Sequence, residues 1–311
     1  MRILVLGSRG MLGQDVVRCA RSSGHFVIEA SRRIENTADI YCDFFDYASI
    51  DKCILDAKAD WVINCAAYTA VDAAEADTVS AYKVNALSVG VLADLCREHF
   101  SKLLHISTDY VFGADPKLSG YPDSNSLASA VQNGELKPYQ PYEPTSPLGV
   151  YGKSKDLGDK LALAVNPEML LVRVSWLHGL GGNNFIDTML RLGRDRSEIS
   201  VVNDQWGATT YTPWLAESLI KAVESNVTGI HHACSSGIVR WCDVARLVFE
   251  TAKMKVVVNE ITSSELGRPA PRPAYSALDS TSFSQSLGIN IPTWDVGVIS
   301  HVQERLVQSK K

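Results

Sequence analysis

Met1-Arg2-Ile3-Leu4-Val5-Leu6-Gly7-Ser8-Arg9-Gly10-Met11-Leu12-Gly13-Gln14-Asp15-Val16-Val17 is the stretch that decides the fold. A short apolar, β-branched run ends at Leu6, glycines follow at 7, 10 and 13, and apolar residues then recur at helical spacing. This is a strand, a tight turn and a helix. Gly7, Gly10 and Gly13 permit the turn and let backbone approach a pyrophosphate closely, while the helix start supplies free N–H groups and the positive end of its dipole. Arg9, Met11 and Leu12 sit in the same turn and join the candidates for nucleotide binding. A strand-to-helix turn with no ligand is the competing reading.

Outward from that turn the rhythm repeats. Strand-like runs at Phe26 to Glu29, Ile40 to Cys42, Trp61 to Cys65, Leu103 to Ile106 and Leu170 to Val174 alternate with helical patterns at Leu12 to Arg21, Ala81 to Glu98 and Ser154 to Val165. Such alternation predicts an α/β fold with a doubly wound parallel sheet, Rossmann-like. After Trp176 the alternation weakens, although a helix over Pro213 to Glu224 and a strand over Ile230 to Ala233 are expected to revisit the sheet. The expected division is a dinucleotide-binding domain over 1–176 and 213–235, with a smaller interleaved C-terminal substrate domain over 177–212 and 236–311. Gly113 to Pro147, rich in Pro, Ser, Gly and Tyr, reads as a long loop, either a lid over a site or a surface insertion.

Composition narrows the function classes. The 311 residues are 46% hydrophobic and 21% charged, as in an ordinary soluble globular protein. Thirty basic against thirty-five acidic side chains leave a net charge of -5, which argues against nucleic acid or an anionic membrane as partner. The seven cysteines are scattered, with no C-x-x-C pair, and read as reduced thiols in a cytoplasmic protein. No apolar run approaches the ~20 residues of a membrane span, and the first residues read as a strand instead of a leader. No metal site is expected. His231 and His232 are neighbours in a strand and point to opposite faces, and no H-E-x-x-H or G-x-S-x-G occurs.

The end of the second strand selects the cofactor. Ser31-Arg32-Arg33 offers a guanidinium pair suited to a 2′-phosphate, so NADPH is preferred, with NADH kept open by Glu29 as a ribose ligand. Asp43, after the third strand, can accept from an adenine amine or act as a plain turn residue. Tyr151 and Lys155 are four residues apart and share one helix face. A phenol can protonate a carbonyl oxygen, and a nearby ammonium lowers its pKa from about 10. Thr108, at the carboxyl end of a buried strand, can hold the same carbonyl. Any one of these patterns arises by chance; the three together point to catalysis.

Those residues carry a resemblance. Gly7/Gly10/Gly13, Asn64 to Asp72, Ser107 to Phe112, Tyr151 and Lys155 together resemble an extended short-chain dehydrogenase/reductase, and Val174 to Trp176, Gly182 to Phe185, Asn203 to Gly207 and Arg272 to Ser276 agree over nearly the whole chain. The resemblance implies reduction of the C4 ketone of a nucleotide-linked 4-keto-6-deoxyhexose, with dTDP-L-rhamnose as the expected product. Tyr151 would be the acid, Thr108 would orient the ketone, and Lys155 would lower the Tyr151 pKa and hold the nicotinamide ribose. It also implies that Ala66, Ala67 and Tyr68 border the cofactor and that Asn85 sits on the helix behind the catalytic strand. Asp109, Tyr110, Trp176, Asn184, Gln205 and Arg272 join Thr108 as the candidate sugar-nucleotide set: an indole to cover the sugar, amides to read hydroxyls, a guanidinium to clamp the diphosphate. A reductase or epimerase of another nucleotide sugar, and a regulatory subunit without turnover, are the alternatives, and the resemblance leaves room for a homodimer. Two departures stand out. Thr108 and Tyr151 are 43 residues apart, where the family suggests a connection shorter by roughly twenty, so 114–140 reads as an insertion; and Gly149 stands where relatives often carry Asn.

Overall fold

The computed structural model describes residues 1–34, 39–121 and 123–308. Seven strands form the central sheet: β1 (Arg2–Leu6), β2 (Phe26–Ser31), β3 (Ile40–Tyr41), β4 (Trp61–Asn64), β5 (Lys102–Thr108), β6 (Leu170–Val174) and β7 (Gly229–His232). Their order is β7-β6-β5-β4-β1-β2-β3, and every pairing is parallel. A parallel sheet needs crossovers, and these are helices: α1 (Met11–Ser22), α2 (Tyr47–Ala57), α3 (Thr78–Glu98), α5 (Val150–Val165) and α7 (Thr212–Glu224). The α/β, doubly wound expectation holds, and the chain reverses direction across the sheet between β1 and β4, where such folds bind ligands.

Both faces of the sheet are covered. On one, Ile3, Val5, Ile63, Leu104 and Val172 pack against Val16 and Val17 of α1 and Leu215, Leu219 and Ile220 of α7. On the other, Leu4, Leu6, Val62, Leu103 and Leu171 pack against Ile50 and Ile54 of α2, Val89 and Leu92 of α3 and Ala162 of α5. Burial on two sides explains why these strands read as continuous apolar runs.

The rest forms a satellite body. Helices α6 (Phe185–Asp195), α8 (Trp241–Thr251) and α9 (Trp294–Gln308) share a core with the parallel pair Glu198–Val202 and Val257–Ile261.

Two expectations need correction. The segment 113–147 is not a long loop, because it carries α4 (Ser124–Gln132), closed by a capping box between Asp123 and Ser126. Leu127, Ala130 and Val131 of α4 pack with Phe112, Tyr139, Trp206 and Tyr275 in a core of their own. And α3 is a continuous helix of 21 residues, long and apolar enough by composition to cross a membrane, whereas no such run was expected. In this fold it is the core helix between α2 and α5, with Val84, Ala86, Val89, Leu92, Ala93 and Cys96 buried.

Candidate active site

At the carboxyl ends of β1, β2, β4, β5 and β6 opens a cavity of about 1040 Å³. One end is the glycine turn. Gly7 has φ +70°, in the left-handed region that favours glycine, and a Cβ there would lie 2.8 Å from the Ala66 nitrogen. At Gly13 a Cβ would meet the Gly7 carbonyl oxygen at 2.2 Å. Gly10 has no side chain to cap α1, so no cap competes for the N–H groups of its first turn. This cradle fits a dinucleotide pyrophosphate. Ser31, Arg32 and Asp43 line the same end, while Ala66, Ala67 and Tyr68 border its middle.

The reacting groups stand at the other end. Thr108, Asp109, Tyr110, Tyr151, Lys155 and Trp176 all line the cavity. Tyr151 and Lys155 lie one turn apart on α5, whose first amide, Val150 N–H, donates to Glu75 Oε1 at 2.8 Å because Gly149 supplies no cap. A Cβ at Gly149 would itself sit 2.7 Å from that carboxylate oxygen. Tyr110 packs edge-on to the Tyr151 ring, with centroids 5.4 Å apart. Asn85, in a π-helical turn of α3, ties the site together: its Oδ1 accepts Tyr68 N–H at 2.8 Å, and its Nδ2 donates to the Tyr68 carbonyl at 3.0 Å and to Ser154 Oγ at 3.1 Å.

The electrostatics of the site differ from the simple picture of a lysine activating a tyrosine. Burial pushes the Tyr151 phenol up to about 12, while the Thr108 hydroxyl beside it pulls the other way. Burial brings Lys155 down to about 8, against the opposing pull of Asp159. Lys155, 1% exposed, donates to the Ile106 carbonyl at 2.8 Å and lies 3.1 Å from His105 Nε2. Its partners are therefore behind the cavity. Burial also raises Asp109 to about 7, with Ser276 and Thr108 hydroxyls donating to its oxygens and lowering it again.

Several candidates from the sequence do not line the cavity: Arg9, Gly13, Arg33, Asn85, Asn184, Gln205 and Arg272. Arg9 and Arg33 face a separate shallow pocket with Glu29, and Arg9 pairs with Asp39 at 2.6 Å. Asn184 caps α6 through Asp187 N–H, and Gln205 donates to Ser263 Oγ at 2.9 Å. Arg272 grips both oxygens of Asp72, at 2.9 and 3.0 Å, and also the Ala270 carbonyl. Asp43 lines the cavity but already accepts the Phe45 N–H at 3.0 Å. Among the described residues, none between 114 and 140 lines it either, and helix α4 packs in a core beside the site.

Trp176 does form a wall, in company the sequence did not announce. Its indole stacks on Trp241, with centroids 3.7 Å apart and planes 10° from parallel, and Gly207 leaves the room, since a Cβ there would come within 2.7 Å of the ring. Trp176 also holds φ at 44°, an unfavourable backbone state for a bulky residue, of the kind that collects at functional sites. His105 and Asp159 were likewise missed; nothing in their local sequence marks them, because their partners are about 50 residues away.

A family model described as the RmlD substrate binding domain matches residues 1–307. The chain belongs to that family. Within it, the dTDP-4-dehydrorhamnose reductase of Escherichia coli strain K12 is 32% identical over 310 residues, covering 96% of each chain. The spore coat polysaccharide biosynthesis protein SpsK of Bacillus subtilis strain 168 is 33% identical over 305 residues, covering 98% of each. Among solved structures, a dTDP-4-dehydrorhamnose reductase of Clostridium acetobutylicum superposes with a TM-score of 0.86 at 30% identity, covering 99% of this chain and 100% of that one. The Bacillus anthracis strain Ames dTDP-4-dehydrorhamnose reductase, solved in complex with NADP, gives 0.85 at 29% identity, covering 97% and 99%. These RmlD relatives match from end to end.

Proposed function

We propose that this chain reduces the C4 ketone of a nucleotide-linked 4-keto-6-deoxyhexose, taking dTDP-4-dehydro-L-rhamnose to dTDP-L-rhamnose with NADPH. The observation that carries the reading is the convergence of Thr108, Tyr151 and Lys155 on one cavity with the glycine cradle of Gly7, Gly10 and Gly13. When bound, NADPH supplies the hydride. The chain's own residues do the rest. The α1 turn would hold the pyrophosphate, Arg32 would take the 2′-phosphate, and the Ala66-Ala67-Tyr68 edge, fixed by Asn85, would border the nicotinamide end. Thr108 orients the ketone oxygen, and Tyr151 gives it a proton, so the Tyr151 O–H bond breaks as the sugar O–H bond forms. Help aimed at the forming alkoxide accelerates reaction because it strengthens towards the transition state. The Trp176–Trp241 stack covers an apolar sugar face.

The division into a nucleotide unit (1–176 with 213–235) and a sugar-nucleotide unit (177–212 with 236–311) is part of the same proposal. It is supported by β7 joining the large sheet and by the separate core of α6, α8 and α9. We place the protein in the cytoplasm, in keeping with seven cysteines that form no disulfide.

The test is product analysis with dTDP-, CDP- and GDP-linked 4-keto-6-deoxy sugars and either NADPH or NADH. One NADPH consumed per dTDP-4-dehydro-L-rhamnose, with dTDP-L-rhamnose formed, is expected; nucleotide binding without oxidation on any of these sugars defeats the reading.

A further inference from the structure

Helix α5, which carries Tyr151 and Lys155, has no side-chain cap of its own. The first amides of a helix need acceptors from outside it. Gly149 holds the extended backbone of an N-cap, φ -96° and ψ 175°, but has no side chain to offer. The first amide, Val150 N–H, is taken instead by Glu75 Oε1 at 2.8 Å, from a residue 75 positions earlier in the chain. A carboxylate there also meets the positive end of the α5 dipole.

Glu75 is itself held in place. It closes the short helix Val71–Ala74, whose Ala74 is buried. In the same turn Asp72 grips Arg272 at 2.9 and 3.0 Å and accepts the Ala270 N–H at 3.3 Å. The fit at the helix start is close. A Cβ on Gly149 would lie 2.7 Å from Glu75 Oε1 and 3.3 Å from Pro271 Cδ, so the carboxylate occupies the space that a side chain at 149 would fill.

Further along, α5 is seated by other contacts. A Cβ at Gly158 would run into the Asn85 carbonyl oxygen, so the helix lies directly on α3. Lys155 is buried and donates to the Ile106 carbonyl at 2.8 Å. Loosening the first turn therefore reaches Tyr151, the residue after Val150, and leaves Lys155 in place. The phenol stands at the end of a long side chain, and proton transfer needs it within about 2.6–3.2 Å of the ketone oxygen, so a shift of about 1 Å at the helix start is costly.

We propose that Glu75 is a positioning residue for the reduction: by capping α5 from outside the helix it sets where the Tyr151 phenol stands against the sugar ketone. Its effect on turnover rests on the ketoreductase reading, and its effect on the helix does not.

Glu75→Ala, Glu75→Gln and the double variant Glu75→Ala/Gly149→Asn, each in the full-length protein, test this. Amide hydrogen exchange reads the cap alone. Residues 150–154 should exchange faster in Glu75→Ala while residues 156–160 stay as in wild type. Glu75→Gln, whose side-chain oxygen still accepts, should keep the slow rate. The double variant should regain it, because asparagine is a strong N-cap, position 149 already has cap geometry, and the carboxylate no longer fills the space. In turnover, Glu75→Ala should lower kcat by about tenfold or more with Kd for NADPH unchanged, Glu75→Gln should keep most of the wild-type kcat, and the double variant should recover most of the loss. Undiminished kcat in Glu75→Ala overturns the proposal whatever the exchange shows. A loss of kcat matched by an equal loss of NADPH affinity, and not relieved by Gly149→Asn, also overturns it and marks Glu75 as support for the cofactor edge. If exchange behaves as stated while the wild-type protein reduces no keto-sugar, the reductase reading fails and the cap stands.

Discussion

Replacing Gly13 by alanine adds one methyl group where the fold has no space. That Cβ would lie 2.2 Å from the Gly7 carbonyl oxygen and 2.9 Å from both the Gly7 carbonyl carbon and Ser8 Cα, all backbone atoms. Relief requires the start of α1 to move about 1 Å away from the turn, the strain of an overpacked core, which costs about 3 kcal/mol at its upper end. Alanine's better helix propensity returns about 1 kcal/mol, leaving a net loss of about 2 kcal/mol. The same displacement takes the first-turn N–H groups from the pyrophosphate. One or two charge-assisted hydrogen bonds at about 1.5–3 kcal/mol each correspond to at least a tenfold weaker Kd for NADPH. Gly24→Ala is the control: Gly24, unlike Gly13, has positive φ, but nothing lies within 4 Å of its Cβ position, so it should cost about 1–2 kcal/mol of stability and leave Kd unchanged. Urea unfolding and a fluorescence titration with NADPH read both numbers. Wild-type Kd in Gly13→Ala would refute the idea that this contact positions the nucleotide.

Trp241→Ala removes the ring stacked under Trp176, a contact of about 0.5–1.5 kcal/mol beyond its buried area; KM for the sugar nucleotide should rise about tenfold with Kd for NADPH unmoved, and an unchanged KM counts against the aromatic wall. The acid limb of stability follows from buried histidines. His178 and His232 are held down to about 3, and burial also lowers His105 and His231, so the unfolded chain binds more protons as pH falls below 6.5, while raised Asp109 and Asp159 hold protons in the folded state and act the other way. Four lowered histidines outweigh two raised carboxyls, so stability should fall as pH drops from 6 to 4; urea midpoints that rise over that interval contradict this balance.

The sheet and its turn were legible because their signals are local. Runs such as Ile3 to Leu6 and Trp61 to Cys65 are buried on both faces and so contain no polar residue until their ends. Helix α4 was not legible. It has few large apolar residues, and its clearest mark, the Asp123 and Ser126 capping box, lies among turn-forming residues that suggest a loop. The Tyr151 and Lys155 pair could be read from its spacing within one helix, but the electrostatics around it could not. His105 reaches Lys155, and Arg173 reaches Asp159, from distant parts of the chain, as does Trp241 in reaching Trp176. Asn184, Gln205 and Arg272 stand away from the cavity for the complementary reason. Their side chains suit a sugar nucleotide, yet the fold gives them internal partners.

Turnover of dTDP-4-dehydro-L-rhamnose by Tyr151→Phe tests the central claim most directly, since it removes one oxygen from a ring that Tyr110 and α5 still hold in place. A fall in kcat of about a hundredfold to ten-thousandfold is expected with Kd for NADPH unchanged. Undiminished kcat in that variant would contradict proton donation by this phenol.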